Sequence, residues 1–373
     1  MIDILFFLPS LSGGGAERTL VNIANGLNRE KYNVHFLVID KPDEGKYKDE
    51  YSSLLKADIH IHNLEIKICK RNYPQIVLRM GRLIKTIKPE IVMSTMLRPN
   101  LMLVAALKTI CYKGKVILRE SNNRSATNTT ILERLLIKYC YGRYADKVVA
   151  LSEGVKKDLS KNFKIPSKCI HVIYNPIDIE AINELKNEPV ELKKGNTIVA
   201  AGRLTSQKNY PCLITALALL KKKCDFNMYI LGKGELEQKV RELIKKRGLE
   251  NNVFMLGFQN NPYKYFVKSD VFVLSSDWEG FGHVIVEAMA CGTAVVSTNC
   301  PYGPDEIISN YKDGILVPVQ NPIEIAKAIM KILKDNNLKE RLVNNGLKRA
   351  QDFSRDKIVL KYEELFDDVL RNN

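Results

Sequence analysis

Short β-branched and aromatic runs alternate with stretches of helical spacing along the chain. Residues 2–8, 34–39, 89–94, 115–120 and 147–152 are apolar runs that pass into polar or glycine-bearing turns. Residues 197–201, 227–231, 253–258, 271–276, 294–297 and 314–317 repeat the pattern. Such runs predict buried strands. Between them, Leu20, Val21, Ile23, Ala24 and Leu27, and later Leu213, Ile214, Ala216, Leu217 and Leu220, fall at helical spacing. Strands alternating with helices predict parallel α/β sheets. The strand at 147–152 is expected to close the first sheet, with Ser152 capping the next helix. Three helices are expected at the end of the chain, over 323–333, 338–353 and 356–370.

Candidate chemistry gathers where strands hand over to helices. The run Val271–Ser276 is followed by Glu279, Gly280, Phe281 and Gly282, and then by a small-residue helix that stops at Gly292. A glycine turn of this kind lets backbone N–H groups face a phosphate, with the positive end of the helix dipole behind them. Glu279 and Glu287 flank the turn at a spacing that separates them along the helix axis, which suits two hydrogen-bonding tasks on one elongated ligand. The plainer reading is one Glu favouring the helix dipole and a second on a solvated face. Gly13, Gly14 and Gly15 form a second strand–glycine–helix turn, followed by Arg18. No Gly-Lys-Ser/Thr follows it, so it is not a P-loop. Arg203 and Lys208 stand after a third strand, and Arg119, Glu120, Ser121, Asn122 and Arg124 at the end of a fourth. Ligands of open α/β sheets collect at such carboxyl ends. His60 and His62 share one face of a short strand and are read as exposed edge residues rather than metal ligands.

The segment Glu279–Thr298, EGFGHVIVEAMACGTAVVST, together with GRLTSQKN around Arg203 and Lys208, resembles the retaining GT-B glycosyltransferases of family 4. The NCPYGPDEI run that follows resembles enzymes of bacterial surface-polysaccharide assembly. The resemblance spans nearly the whole chain. It implies an α/β GT-B fold, two Rossmann-like domains facing each other across a cleft. It places an acceptor-binding domain at 1–175, a nucleotide-sugar-binding domain at 176–355, and a helix at 356–373 that returns to the first domain. The Asn175-Pro176-Ile177-Asp178 stretch marks the crossover. By position, Glu279 would meet donor-sugar hydroxyls and Glu287 the ribose, while Arg203 and Lys208 would hold the diphosphate in place of a metal. Gly13, Gly14, Gly15 and Arg18 would line the acceptor side with Glu120, Gly280, Phe281 and Gly282 would form the turn against the donor, and Phe258 would neighbour the base. Many relatives carry His where this chain has Ser121, so that residue's role does not transfer.

Composition sharpens the partner. The net charge of +15 calls for acidic partners: nucleotide phosphates, lipid head groups or nucleic acid. No RRM-type aromatic signature or zinc-finger spacing supports nucleic acid. Lys70, Arg71, Arg79, Arg82, Lys85 and Lys88 flank the stripe Ile76, Val77, Met80, Leu83, Ile84 and Ile87, which reads either as a packed surface helix or as a face for anionic lipid. The eight cysteines lack CxxC or Cys/His metal spacing and read as reduced thiols. No apolar run reaches about 18 residues, the length of a membrane span. The expectation is therefore a cytoplasmic enzyme, peripheral to the membrane, that transfers sugar from a UDP-sugar to a lipid-linked glycan of capsule, O-antigen or a similar polysaccharide, with no cofactor and no metal. The alternative is a related enzyme with a soluble acceptor, of the glycogen-synthase or sucrose-synthase kind.

Overall fold

The computed structural model describes residues 1–11, 15–39, 51–125 and 129–371. Gly13 and Gly14 lie outside the described residues. The chain divides into two compact units, Met1–Pro176 with Arg355–Asn373, and Ile177–Ser354.

The first unit contains β1 (Ile2–Phe7), β2 (Tyr32–Val38), β3 (His60–Asn63), β4 (Ile91–Thr95), β5 (Lys115–Glu120), β6 (Lys147–Ala150) and β7 (Ile170–Val172), ordered β3-β2-β1-β4-β5-β6-β7. Every pairing is parallel. A parallel sheet covered by helices is buried on both faces, which explains runs such as Ile4–Phe7 with every side chain inside. The first sheet does not end at residues 147–152: β7 extends it by pairing with β6. The helix Arg355–Arg371 belongs to this unit and buries Ile358, Tyr362, Leu365 and Phe366 in its core. It lies so close to the helix Gly15–Gly26 that a Cβ on Gly26 would stand 2.6 Å from the Val359 methyl.

The helix Tyr73–Ile87 buries Ile76, Met80, Gly81 and Ile84. Gly81 is pressed against Ala106 and Thr109 of the helix Leu97–Thr109. Its apolar stripe is thus spent on packing, while Arg79, Arg82, Lys85 and Lys88 stay exposed. At the sheet edge, His60 is exposed, but His62 is not a free edge residue: its Nε2 lies 3.0 Å from Nδ1 of His35 on β2. Burial lowers the pKa of both His35 and His62.

The second unit repeats the plan with β8 (Thr197–Ala201), β9 (Asn227–Leu231), β10 (Val253–Gly257), β11 (Val271–Leu274), β12 (Ala294–Thr298) and β13 (Ile315–Val317), ordered β10-β9-β8-β11-β12-β13 and parallel throughout. Ile198, Ile230, Val273 and Val296 of the sheet and Leu213 and Leu217 of the helix Tyr210–Lys221 share its core. In each sheet the strand order reverses once, between β1 and β4 and between β8 and β11. Loops leaving the carboxyl ends of two such strands diverge and leave a crevice where ligands bind.

Candidate active site

At the β8/β11 reversal two loops are tied to one another. Residues 202–209 leave β8 and end in a single 3-10 turn, Ser206–Lys208. Asn209, at φ 43°, caps the following helix by accepting from Cys212 N, and its Nδ2 donates to Asp277 Oδ1 at 2.8 Å. Gln207 Nε2 donates to Trp278 O at 2.9 Å, Asp277 N donates back to Gln207 O at 2.8 Å, and Ser275 Oγ donates to Lys208 O at 2.8 Å. These bonds bring Lys208 Nζ within 2.5 Å of Glu279 Oε1, which also accepts from Ser276 Oγ at 2.7 Å. Both members of the ion pair are largely buried. The second oxygen of Glu279 accepts from none of the described residues, and the exposed Arg203 guanidinium has no partner among them. A carboxylate can accept about four hydrogen bonds, so Glu279 keeps capacity for a ligand while Lys208 holds its other oxygen.

The turn after Glu279 prepares a helix N-terminus. Gly282 takes φ 98° and leads into the helix His283–Ala290 with no side-chain cap. The helix therefore starts without a side-chain capping oxygen, at the positive end of its dipole, and Ile285 N donates to Gly282 O at 2.9 Å. Phe281 is buried edge-on against Phe353 and His283, so it braces the turn rather than facing solvent. Gly303, at φ 124°, presses on the Phe281 backbone: a Cβ there would stand 2.2 Å from the carbonyl oxygen. Glu287 is buried on the second turn, and its Oε1 accepts from Tyr263 Oη at 3.3 Å. Burial and then the Glu279 charge push the Cys300 thiol up to about 12; burial and then Glu287 do the same to Cys291, also to about 12. Neither thiol serves as a nucleophile there. Phe258, just past β10, is 57% exposed.

The reversal in the first unit carries a cleft of about 570 Å³, lined by Pro9 and Ser10 after β1, Met96 and Arg98 after β4, and Asn122 and Arg124 after β5. Gly15 begins the adjoining helix and is exposed; Glu17 lines the cleft, whereas the half-buried Arg18 is not among its lining residues. Glu120, fully buried, accepts from Ser121 N, Asn122 N, Tyr141 Oη and twice from Arg124. Five donors leave it no free valence. Burial opposes the charge on Arg124, but the Glu120 charge and hydrogen bonds outweigh it and raise the guanidinium's pKa. Arg119, read from sequence as a cleft residue, is wholly buried instead: it donates to Tyr362 Oη at 3.2 Å, to Thr95 Oγ1 at 3.0 Å and to Asn175 Oδ1. It joins β5 to the returning helix. The residues sequence reasoning missed are Ser276, Arg98 and Glu17; a polar side chain just after a strand at the reversal was the available signal for Ser276, whereas Arg98 lies three residues past β4, inside the helix Leu97–Thr109.

Two doubly wound parallel sheets, each with its polar loops at the strand reversal, define the GT-B class of enzyme. The Glycosyltransferase Family 4 model matches residues 13–181, and the Glycosyl transferases group 1 model residues 181–349. The chain belongs to this glycosyltransferase family and is a glycosyltransferase. It is 31% identical, over 95% of its own length and 98% of the relative's, to the N-acetylgalactosamine-N,N'-diacetylbacillosaminyl-diphospho-undecaprenol 4-alpha-N-acetylgalactosaminyltransferase of Campylobacter jejuni. Among solved structures, a glycosyltransferase from Rickettsia africae matches with TM-score 0.80 at 23% identity, covering 100% of this chain and 99% of that one. Anabaena HepE in complex with UDP and glucose matches with TM-score 0.81 at 21% identity, covering 99% and 100%. Both share its fold.

Proposed function

We propose that the protein is a retaining, metal-independent transferase that moves a sugar from a UDP-sugar onto a lipid-linked glycan at a membrane surface, in the assembly of a cell-surface polysaccharide. The observation that carries the reading is the Lys208–Glu279 pair, with one Glu279 oxygen open and, on the same loop as Lys208, the exposed Arg203 without a side-chain partner among the described residues. Breaking a sugar–phosphate bond builds negative charge on the departing diphosphate. Lys208, Arg203 and the N-terminus of the helix His283–Ala290, which has no side-chain cap, are fixed positive groups able to receive that charge without a metal ion. The open oxygen of Glu279 then accepts from donor-sugar hydroxyls, Glu287 accepts from the ribose, and Phe258 offers an exposed ring to the base. Gly280, Phe281 and Gly282 set the backbone that faces the phosphates. The departing phosphate then takes the acceptor proton on the face it leaves.

In the first unit, Arg98 and Arg124 place cationic groups in the cleft, which suits the phosphate of a lipid-linked acceptor. Gly13, Gly14, Gly15 and Arg18 adjoin that side in sequence, and Glu120 serves it by holding Arg124. The name of the Campylobacter relative, a transferase acting on a diphospho-undecaprenol, and the UDP and glucose in HepE support this choice of substrates. Among the described residues no helix is long and apolar enough to cross a membrane, which fits peripheral association. The test is a panel of nucleotide sugars with a diphosphate-linked lipid acceptor, with and without chelator. Transfer from a UDP-sugar with retained anomeric configuration, undiminished by EDTA, is expected. Inversion, or activity abolished by EDTA and restored by Mg²⁺ or Mn²⁺, sinks the reading.

A further inference from the structure

The helix Ile131–Tyr139 is inside out. Its buried positions are Glu133, half-covered, and Ile137, followed by Cys140 and Tyr141. Its exposed positions include Ile131 at 80%, Leu132 at 66% and Leu135 at 62%, with Leu136 and Tyr139 beside them. Spacings of one, four, five and eight residues from Ile131 put these five side chains on one continuous helical face. Solvent-exposed helices ordinarily turn such a stripe toward the core, and a contiguous exposed apolar patch marks an interaction surface.

The charges around the stripe select its partner. Arg134, Lys138 and Arg143 are exposed on or just after the helix, and Lys108 Nζ stands 4.3 Å over the Tyr139 ring. The one acid of the helix, Glu133, is turned back into a capping box with Thr130. An apolar face rimmed by cations, on a short helix, is the pattern of a segment that lies in the plane of an anionic lipid surface. The helix also starts at the wall of the first unit's cleft, which Thr129 and Glu133 line together with Arg98.

We propose that the face formed by Ile131, Leu132, Leu135, Leu136 and Tyr139 inserts into the anionic leaflet of a membrane. The basic helix Tyr73–Ile87, which buries Ile76, Met80 and Ile84, supplies electrostatic attraction without insertion. Tyr73, at the start of that helix, lines the same cleft. The inference deepens the lipid-linked reading but rests on the exposed stripe and its basic rim, since binding to a vesicle requires neither donor nor acceptor.

The experiment is co-sedimentation of the full chain with vesicles of phosphatidylglycerol and phosphatidylcholine at low and high salt. Three proteins are compared: the wild type, Leu132→Ser with Leu135→Ser, and Arg79→Glu with Arg82→Glu and Lys85→Glu. The wild type should bind and keep a salt-resistant fraction, because salt screens charge but not apolar burial. The serine variant should bind about tenfold or more weakly and lose the salt-resistant fraction. The glutamate variant should lose the salt-sensitive part of the binding yet keep the salt-resistant fraction on the same vesicles. Because the leucines are exposed, the serine variant should stay folded and should still transfer sugar to a short-chain, water-soluble acceptor. Equal vesicle binding by wild type and serine variant overturns the proposal. So does a wild type that ignores vesicles but is a dimer in solution and becomes a monomer on substitution, which would make the stripe an interface between copies.

Discussion

Glu120 and Glu279 are both buried carboxylates, each paired with a cation beyond the end of a strand near the reversal of its sheet. They differ in what remains open. Glu120 takes five donors, two from backbone N–H groups beside it and two from Arg124 four residues on. Glu279 takes two donors, both on one oxygen, and its cation comes from a loop on another strand. A saturated carboxylate can only hold its neighbours in place. One with a vacant oxygen, held through its other oxygen by a lysine, keeps capacity for a ligand. The same chemical group is thus saturated in one unit and, among the described residues, left with an open oxygen in the other, and the hydrogen-bond count separates the two.

The contrast can be broken at either carboxylate. Glu120→Ala should cost about 3–5 kcal/mol of stability by stranding Arg124 and the Tyr141 hydroxyl in the interior; denaturant unfolding measures this, and a loss below 1 kcal/mol would deny the bracing role. Glu279→Gln should leave the unfolding midpoint nearly in place while turnover falls roughly 10²- to 10³-fold. Steady-state rates beside UDP titration check it: UDP affinity should persist, and an unchanged rate would put Glu279 outside the chemistry. Glu287→Ala should weaken UDP binding about tenfold, the loss of one charge-assisted hydrogen bond, and calorimetry that finds equal affinity removes the ribose assignment.

The smallest effect belongs to the first sheet's edge. His35 and His62 have pKa values lowered by burial, so the unfolded chain binds more protons than the folded one below the ordinary histidine value of about 6.5. Stability contributed there is present above that pH and is lost as pH falls through it. His35→Gln should flatten the decline in unfolding midpoint between pH 7.5 and 5.5; an unaltered slope would show that the pair does not sense pH.

The strands were legible because burial on both faces writes long apolar runs into a parallel sheet. β7 was not, since Ile170–Val172 is three residues long and two of them are only partly covered. The glycine turn at Gly280 and Gly282 and the polar ends of β8 and β11 could be read directly. The Lys208–Glu279 contact could not, because it joins loops 71 residues apart and depends on Gln207, Asn209 and Ser275 fastening those loops together. Arg119 misled for a related reason: a charged residue at a strand end reads as a cleft group, but Tyr362 arrives from the far end of the chain to bury it. The helix Ile131–Tyr139 escaped notice because a period of apolar residues says nothing about which way the face turns.

That far contact has a consequence for how the protein is made. The first unit's core contains Ile358, Tyr362, Phe366 and Val369, and Arg119 finds one of its partners on Tyr362. A ribosome delivers residues 1–176 first, yet must then deliver residues 177–354 before that core can close. At about 5–20 residues per second the interval is roughly 9 to 36 s. Throughout it Leu20, Val21 and Phe36 lack the part of their core that the last helix supplies. The second unit, contiguous in sequence, has all its core residues as soon as its last helix emerges, and so the half made later is the half able to fold first.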